Sequence, residues 1–389
     1  MGVRETTKNA KVAKVRLGDV AWIDGRIPFP DGEKVWLLNL DMIEQQSGRL
    51  ISKNIVARSE VSSSTVGFDE NCVLYSKLRP NLNKVLIPTE PGVATSEILP
   101  LRHREDVLGG YLCCYLRSPA FVSYAVGRTA GAKMPRLSSK DLLAAQFPLP
   151  PFPEQKRIAE ELDRICELKK NAEERLALMD QLVKSRFVEM FGDQKNYAKV
   201  RVDEVFSVGG PKRIHKEEWT NEGVPFLKIS DLMNRLENGI RTADCYISKM
   251  RYDELKAANQ VPKAGDVLVT ARGTLGRCYV VDAGDEFYFQ DGMITWLSEK
   301  RGNIDLTYFL AAVQMPEFRR QYEGKSAGTT VAYLTIGQLA KFQLPLPPIG
   351  EQRKFAAFVA EVDKSKSILR ETIAQMETLY KAKLQEYFG

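Results

Sequence analysis

Residues 147 to 192 read FPLPPFPEQKRIAEELDRICELKKNAEERLALMDQLVKSRFVEMFG, and the pattern returns over residues 344 to 389 as LPLPPIGEQRKFAAFVAEVDKSKSILRETIAQMETLYKAKLQEYFG. The offset is 197 residues (Glu154 to Glu351) and holds without a gap. Pro148 falls on Pro345, Gln155 on Gln352, Ala159 on Ala356, Met179 on Met376, and Phe191-Gly192 on Phe388-Gly389. A duplication at fixed offset constrains the architecture more than any composition can, because the chain must then be two copies of one unit. Each copy is a variable globular part followed by a long helix.

Proline closes the segment before each helix, and Glu-Gln occupies the first turn, where acidic groups suit the positive end of the helix dipole. Ile158, Leu162, Ile165, Lys169, Ala172, Leu176, Met179, Val183 and Met190 follow the three-and-four spacing of a heptad seam. Phe355, Val359, Val362, Lys366, Leu369, Ile373, Met376, Tyr380 and Tyr387 repeat it. Lys169 and Lys366 interrupt both seams at the same place, as register-setting polar residues do. Glycine ends each helix. A rod from Glu154 to Met190 spans about 55 Å and cannot bury its stripe against itself. The other copy is the expected partner. The predicted fold class is therefore α+β: two mixed α/β domains separated by two long antiparallel helices in a coiled coil, with an internal pseudo-two-fold repeat. The predicted boundaries are 1–146, 147–192, 193–343 and 344–389.

The globular parts run in the same order. VWLLNL (35–40), CVLYSKL (72–78), KVLIP (84–88) and TSEILPLR (95–102) read as alternating strands, and Tyr111 to Gly127 as a helix broken at Pro119. In the second part VPFLKISDL (224–232) stands where VWLLNLDMI stood, and GDVLVTARGTLGRCYVV (265–281) matches the CVLYSKLRPNLNKVLI strand–loop–strand. FQDGMITWL (289–297) takes the place of ATSEILPL. TYFLAAVQMPEFRRQY (307–322) takes that of the broken helix, with Pro316 on Pro119, and SAGTTVAYLTIGQL (326–339) lies over TAGAKMPRLSSKDL (129–142). An apolar share of 44% over 389 residues supports two or three cored domains. No run reaches the roughly 20 apolar residues a membrane span needs, and the first residues lack an apolar signal core. The six cysteines form no C-x-x-C pair, so reduced, cytoplasmic thiols are expected.

Several enzyme chemistries lack their residues. There is no G-x-x-x-x-G-K-[ST] loop and no G-x-G-x-x-G fingerprint after a strand. Gly273 to Gly276 reads as a turn between strands. His103 and His215 are the only histidines, which rules against a histidine metal cluster or triad repeated in both units. His103, between Arg102 and Arg104, is expected to face solvent or phosphate. No catalytic or metal-binding residue is assigned.

What the loops do carry is cations mixed with amides and hydroxyls, and the net charge of +6 permits an anionic partner. In the first part these are Ser76, Lys77, Arg79, Asn81, Asn83, Lys84, Ser96, Arg128, Lys133 and Arg136. In the second they are Thr270, Arg272, Thr274, Arg277, Gln290, Lys325, Thr329, Thr330 and Tyr333. Lys and Arg neutralise phosphates, while Arg, Asn and Gln reach base edges through paired hydrogen bonds. Any one such residue has a plain alternative role as a solvated loop cation. Clustering at corresponding loops of both copies favours a DNA surface.

With its doubled FPLPPFPEQKRIAEELD (147–163) and LPLPPIGEQRKFAAFVAEVD (344–363), and with VPFLKISDL and GDVLVTARGTLG in its second half, the chain resembles specificity subunits of type I restriction–modification enzymes over essentially its full length. The resemblance implies two target-recognition domains, each reading half of a split DNA site and held apart by the helices. It implies docking of modification subunits, two in number, which carry S-adenosylmethionine and methylate adenine, and then of restriction subunits that use ATP and Mg. Glu154, Gln155, Arg157, Glu351, Gln352 and Lys354 lie in the matching motif, as candidates for tying domain to helix, gripping the partner, or simply capping the helix. Set against about 34 Å per DNA turn, the rod suggests half-sites roughly one turn apart. SKLRPNLNK in the first domain departs from the TARGTLGR pattern of the second. Two other readings compete: a coiled-coil scaffold whose heads bind proteins, and a stand-alone nuclease, for which no carboxylate cluster can be located.

Overall fold

The computed structural model describes residues 13–131, 133–192, 197–301, 304–323 and 333–389. The chain divides into two compact units, Met1–Arg175 with Ile368–Gly389, and Leu176–Ser367. The first unit runs through strands β1 (Lys14–Arg16), β2 (Ala21–Ile23), β3 (Lys34–Leu38), β4 (Asn54–Ala57), β5 (Thr65–Phe68), β6 (Val73–Ser76), β7 (Val85–Leu86), β8 (Gly92–Thr95) and β9 (Ile98–His103). Helices α1 (Gly109–Arg117), α2 (Pro119–Val126) and α3 (Ser139–Leu143) follow, then β10 (Gln146–Pro148) and the long α4 (Phe152–Phe191). One sheet has the order β2-β9-β6-β7, a second β4-β3-β8-β5, and β1 pairs with β10. Within the second sheet β3 and β8 are parallel.

The second unit repeats this plan. Its elements are β11 (Lys199–Arg201), α5 (Val202–Val205), β12 (Ser207–Gly209), β13 (Trp219–Thr220), β14 (Val224–Leu227), α6 (Ile229–Asn238), β15 (Tyr246–Ile247), α7 (Lys249–Ala257), β16 (Val267–Thr270), β17 (Cys278–Val280), β18 (Tyr288–Phe289) and β19 (Ile294–Ser298). Then come α8 (Leu306–Val313), α9 (Pro316–Arg319), α10 (Ile336–Ala340), β20 (Gln343–Pro345) and α11 (Ile349–Phe388). Sheet order β12-β19-β16-β17 matches β2-β9-β6-β7, β11–β20 matches β1–β10, and β14 lies parallel to β18 as β3 does to β8. The smaller sheets differ at both edges: β5 flanks β8 in the first unit with no counterpart beside β18, and β13 flanks β15 in the second with no counterpart beside β4.

The alternating pattern expected of the strands gives way where a strand is covered on both faces. In β6 all four residues are buried, because Val73 and Tyr75 face the helix-side core while Leu74 faces the other. In β16 Val267 and Val269 face one core and Leu268 the other. Such a strand reads as a continuous apolar run, since successive side chains point to opposite faces that are both dry. The break at Pro119 is present, and the Ser118 hydroxyl accepts the amide of Phe121 at 3.2 Å to restart the helix. Pro316 likewise begins α9, but without a side-chain cap, since Met315 stands where Ser118 does.

Each long helix has 40 residues, about 60 Å, and begins two residues ahead of its Glu-Gln pair. The two run antiparallel within each unit. In the first unit Arg157 lies over the Tyr387 ring, Lys383 pairs with Glu161 at 3.0 Å and Lys169 with Glu377 at 2.7 Å, so each step forward along α4 is a step back along α11. In the second unit Lys366 pairs with Asp180 at 2.6 Å and Phe187 packs on Phe355. The Lys169–Glu377 and Lys366–Asp180 bridges are the same pair under the 197-residue repeat. The two lysines that interrupt the seams therefore bridge the helices at matched positions. Two residues that the seam omits are buried as deeply as its seam members Leu162 and Phe355: Phe187 and Phe191 are 1% exposed and pack against Tyr308. Their counterparts Leu384 and Phe388 enter the first unit's core, with Phe388 5.2 Å from Tyr111. Burial of each such side chain contributes about 1.5–3 kcal/mol.

All six cysteines are free thiols. Among the described residues no helix is long and apolar enough to cross a membrane.

Candidate nucleic-acid interface

Three loops meet at one end of the β2-β9-β6-β7 sheet. The loop between β6 and β7 turns through Pro80–Leu82, with Arg79 (φ 50°) and Asn83 (φ 51°) in the left-handed region on either side. Left-handed non-glycine residues are uncommon, and asparagine tolerates the region best. Asn83 is buried and donates to the carbonyl of Arg117 at 3.0 Å. The buried Ser76 hydroxyl donates to Leu78 O at 3.0 Å, and Lys84 Nζ donates to Leu40 O at 2.5 Å. Partial burial lowers the pKa of Lys84 from its ordinary value, Asp41 opposing. These three polar residues hold the loop. Lys77, Arg79 and Asn81 are its solvent-facing members, with Arg79 and Asn81 exposed and Lys77 half-buried.

The backbone ties the other two loops to this one. Lys77 N donates to Glu97 O (3.0 Å), Leu137 N to Lys77 O (2.9 Å), and Arg79 N to Pro135 O (2.8 Å). Arg136, bridged to Leu78, grips Glu97 with Nη2 at 2.8 Å and Nε at 3.0 and 3.1 Å. Those hydrogen bonds hold the Glu97 carboxyl below the usual carboxylate range. Ser96, Arg128 and Lys133 are exposed around the junction, and the Arg128 guanidinium lies 3.9 Å over the Tyr124 ring.

The second unit builds the same junction from other side chains. Ala271 N donates to Met293 O and Leu334 N to Ala271 O, both at 2.9 Å, and Arg272 bridges Tyr333. Lys77, Glu97 and Arg136 are thus replaced by Ala271, Met293 and Tyr333. Arg272 is exposed and lies 5.8 Å from the centre of the half-exposed Tyr333 ring. Thr270 is buried, donating its hydroxyl to Thr274 O at 2.5 Å and accepting the Arg277 amide at 3.0 Å. It closes the loop, while Thr274 is exposed and Arg277 reaches Glu237 at 3.5 Å. Gln290 is half-buried and donates its backbone amide to Leu227 O at 2.9 Å. Lys325, Thr329 and Thr330 lie outside the described residues. His103 sits half-buried in β9, with Nδ1 3.1 Å from Arg104 O, between two arginines already paired with Asp69 and Asp106.

A family model for the type I restriction modification DNA specificity domain matches residues 194–378. A putative type I restriction enzyme specificity subunit from Haemophilus influenzae is 27% identical over 281 residues, covering 68% of this chain and 67% of that protein. A type I restriction enzyme specificity subunit from Methanocaldococcus jannaschii is 22% identical over 386 residues, covering 93% and 88%. Residues 194–378 thus match a type I restriction–modification DNA specificity domain, and similarity to the specificity subunits of such systems extends over nearly the whole chain. The fold agrees: a chain from a solved structure on complex assembly and conformational transition of the type I R-M system superposes with a TM-score of 0.65 at 20% identity, covering 99% of each.

In this chain the Glu-Gln motif has a structural task. Gln155 is fully buried, accepts the Leu108 amide at 2.8 Å, and donates to Asp106 O and Pro150 O, both at 2.9 Å. Gln352 accepts Asp305 N at 2.8 Å and donates to Pro347 O at 2.7 Å. These partners are equivalent under the repeat, as are the hydroxyl bonds of Tyr111 to Pro148 O and of Tyr308 to Pro345 O. The glutamines fix domain to helix. Glu154 and Arg157, like Glu351 and Lys354, form ion pairs at the surface, 2.7 and 2.9 Å long. Composition offers no signal for Glu97 or Met293; only the aligned strand–loop–strand units place them opposite one another.

Proposed function

We propose that this specificity subunit reads a bipartite duplex DNA site, one half through the loop junction of each unit, and contributes no catalytic residue itself. Modification subunits dock on the long helices, two per chain, bringing S-adenosylmethionine and methylating adenine. Restriction subunits using ATP and Mg join through them, and the assembly works in the cytoplasm. The observation that carries the reading is the paired junction: identical backbone hydrogen bonds present Lys77, Glu97 and Arg136 in one unit, and Ala271, Met293 and Tyr333 beside Arg272 in the other. A conserved frame with exchanged side chains suits two readers of different sequences. Two copies of one binding function would instead keep the side chains. Support for repeated docking comes from Leu182 and Leu379, exposed at 46% and 40% and equivalent under the repeat.

Duplex binding measured against salt tests the reading. Six loop cations, Lys77, Arg79, Arg128, Lys133, Arg272 and Arg277, give an expected slope of log K against log salt of about −5 if each neutralises one phosphate. A flat response would return the heads to protein binding. Exchange of residues 1–145 for those of a relative should alter one half of the methylated motif and leave the other intact.

A further inference from the structure

We infer that Arg136, held side-on by Glu97, is the guanine-reading residue of the first unit, and that Glu97 is its positioning residue. The inference rests on the DNA-recognition reading above and assigns a base to one of its side chains.

The geometry begins with which hydrogens are free. A guanidinium has five N–H groups. Glu97 takes Nε–H and one hydrogen of Nη2, and Met134 O accepts from Nη1 at 3.3 Å. One hydrogen on each terminal nitrogen is left, and the side chain remains 42% exposed. A pair of parallel donors on the two terminal nitrogens is the fork that meets the O6 and N7 acceptors of guanine in the major groove. The carboxylate fixes the plane of that fork before DNA arrives, so less side-chain freedom is lost on binding.

Charge separates a base from a phosphate as the target. Arg136 and Glu97 together are formally neutral, and a phosphate approaching the fork would meet the carboxylate's charge behind it. Such a pair gains little from displacing counterions, the main source of phosphate affinity. A guanine edge is uncharged and accepts both hydrogen bonds without that penalty. The surrounding cations Lys77, Arg79 and Lys133 have no ion pair within 4 Å among the described residues and suit phosphates. The second unit cannot read a base this way, because Met293 and Tyr333 stand where Glu97 and Arg136 do.

The test uses the full chain assembled with its modification subunits and a library of duplexes randomised over the site. Wild type, Arg136→Ala, Arg136→Lys and Glu97→Gln are compared, each with a thermal melt to establish folding. The wild-type complex is expected to require guanine at one position of the first half-site. Arg136→Ala and Arg136→Lys should each lose that preference by about five- to 150-fold, with the second half-site unchanged. Glu97→Gln, which keeps the acceptor but removes its charge, should weaken the preference less while shifting affinity little. A uniform loss of affinity with guanine still required overturns the assignment and leaves Arg136 a phosphate contact or a loop tie. A wild-type complex that selects no split site at all overturns the DNA reading itself, and the assignment with it.

Discussion

The buried glutamine that ties each globular part to its helix gives the sharpest stability prediction. Gln155→Ala strands the Leu108 amide and removes a donor from the carbonyls of Asp106 and Pro150, in a site with no solvent exposure. An unmet buried amide costs about 1–3 kcal/mol. With two under-satisfied carbonyls and a small void, the expected loss is about 3–5 kcal/mol, a large part of the 5–15 kcal/mol typical of a domain. At a typical m-value this moves the urea midpoint of the first unit down by about 2 M. Hydrogen exchange localises the effect. Protection should fall at Leu108 and through α1, while Asp305 and α8 keep theirs. Gln352→Ala should reverse the pattern, since Gln352 accepts the Asp305 amide. A loss below about 0.5 kcal/mol, or equal deprotection of both units by either substitution, would refute the clamp.

Acid should loosen the helix pair of the first unit. The hydrogen bond from Lys169 holds Glu377 below the ordinary carboxylate range, and those from Tyr387 and then Lys383 do the same for Glu161. A folded pKa below the unfolded one contributes stability that is complete above the unfolded value and lost as pH falls through the folded one. The melting temperature should therefore drop further between about pH 5 and pH 3 in wild type than in Glu377→Gln, and parallel drops would count against the bridge. Gly276→Ala puts alanine at φ 73° with its Cβ 2.7 Å from the Tyr322 hydroxyl. It should cost about 1–2 kcal/mol and weaken selection of the second half-site only, read by the same randomised library. Removing seven residues from both long helices keeps the seam and shortens each by about 10 Å. The gap in the methylated motif should shrink by about three base pairs, and an unchanged gap would show that helix length does not set it.

The repeat, the antiparallel helix pair and the order of the strands were legible because periodicity and offset survive divergence. Side-chain fate was not. Ser76, Asn83 and Thr270 look like polar loop residues, yet each pairs with a backbone group, Ser76 and Thr270 within their own turns and Asn83 at the C-terminal end of α1. Gln155 and Gln352 sit beside Glu154 and Glu351 in the first turn, where all four suggest dipole or capping roles. Only the packing of α1 and α8 on the helix starts separates the buried glutamines from the surface glutamates. Phe187 continues the three-and-four spacing after Val183 but lies where the seam passes into a globular core, and there Met190 is half-buried while Phe187 is dry. Glu97 gave no signal, because a single acid among cations acquires meaning only from the Arg136 beside it.

The two units differ in how their parts are distributed along the chain. Leu176–Ser367 is one continuous segment, whereas the first unit needs Ile368–Gly389 to cover Tyr111 and complete its core. On a ribosome adding roughly 5–20 residues per second, the stretch separating Arg175 from Ile368 takes about 10–40 s to make. Through that interval Ile158 and Leu162 lack their cover from α11, and the unit translated first is the later to close. Near-identical architectures thus carry different folding histories, and a chain ending at residue 367 holds every residue of the second unit while leaving the first without its cover.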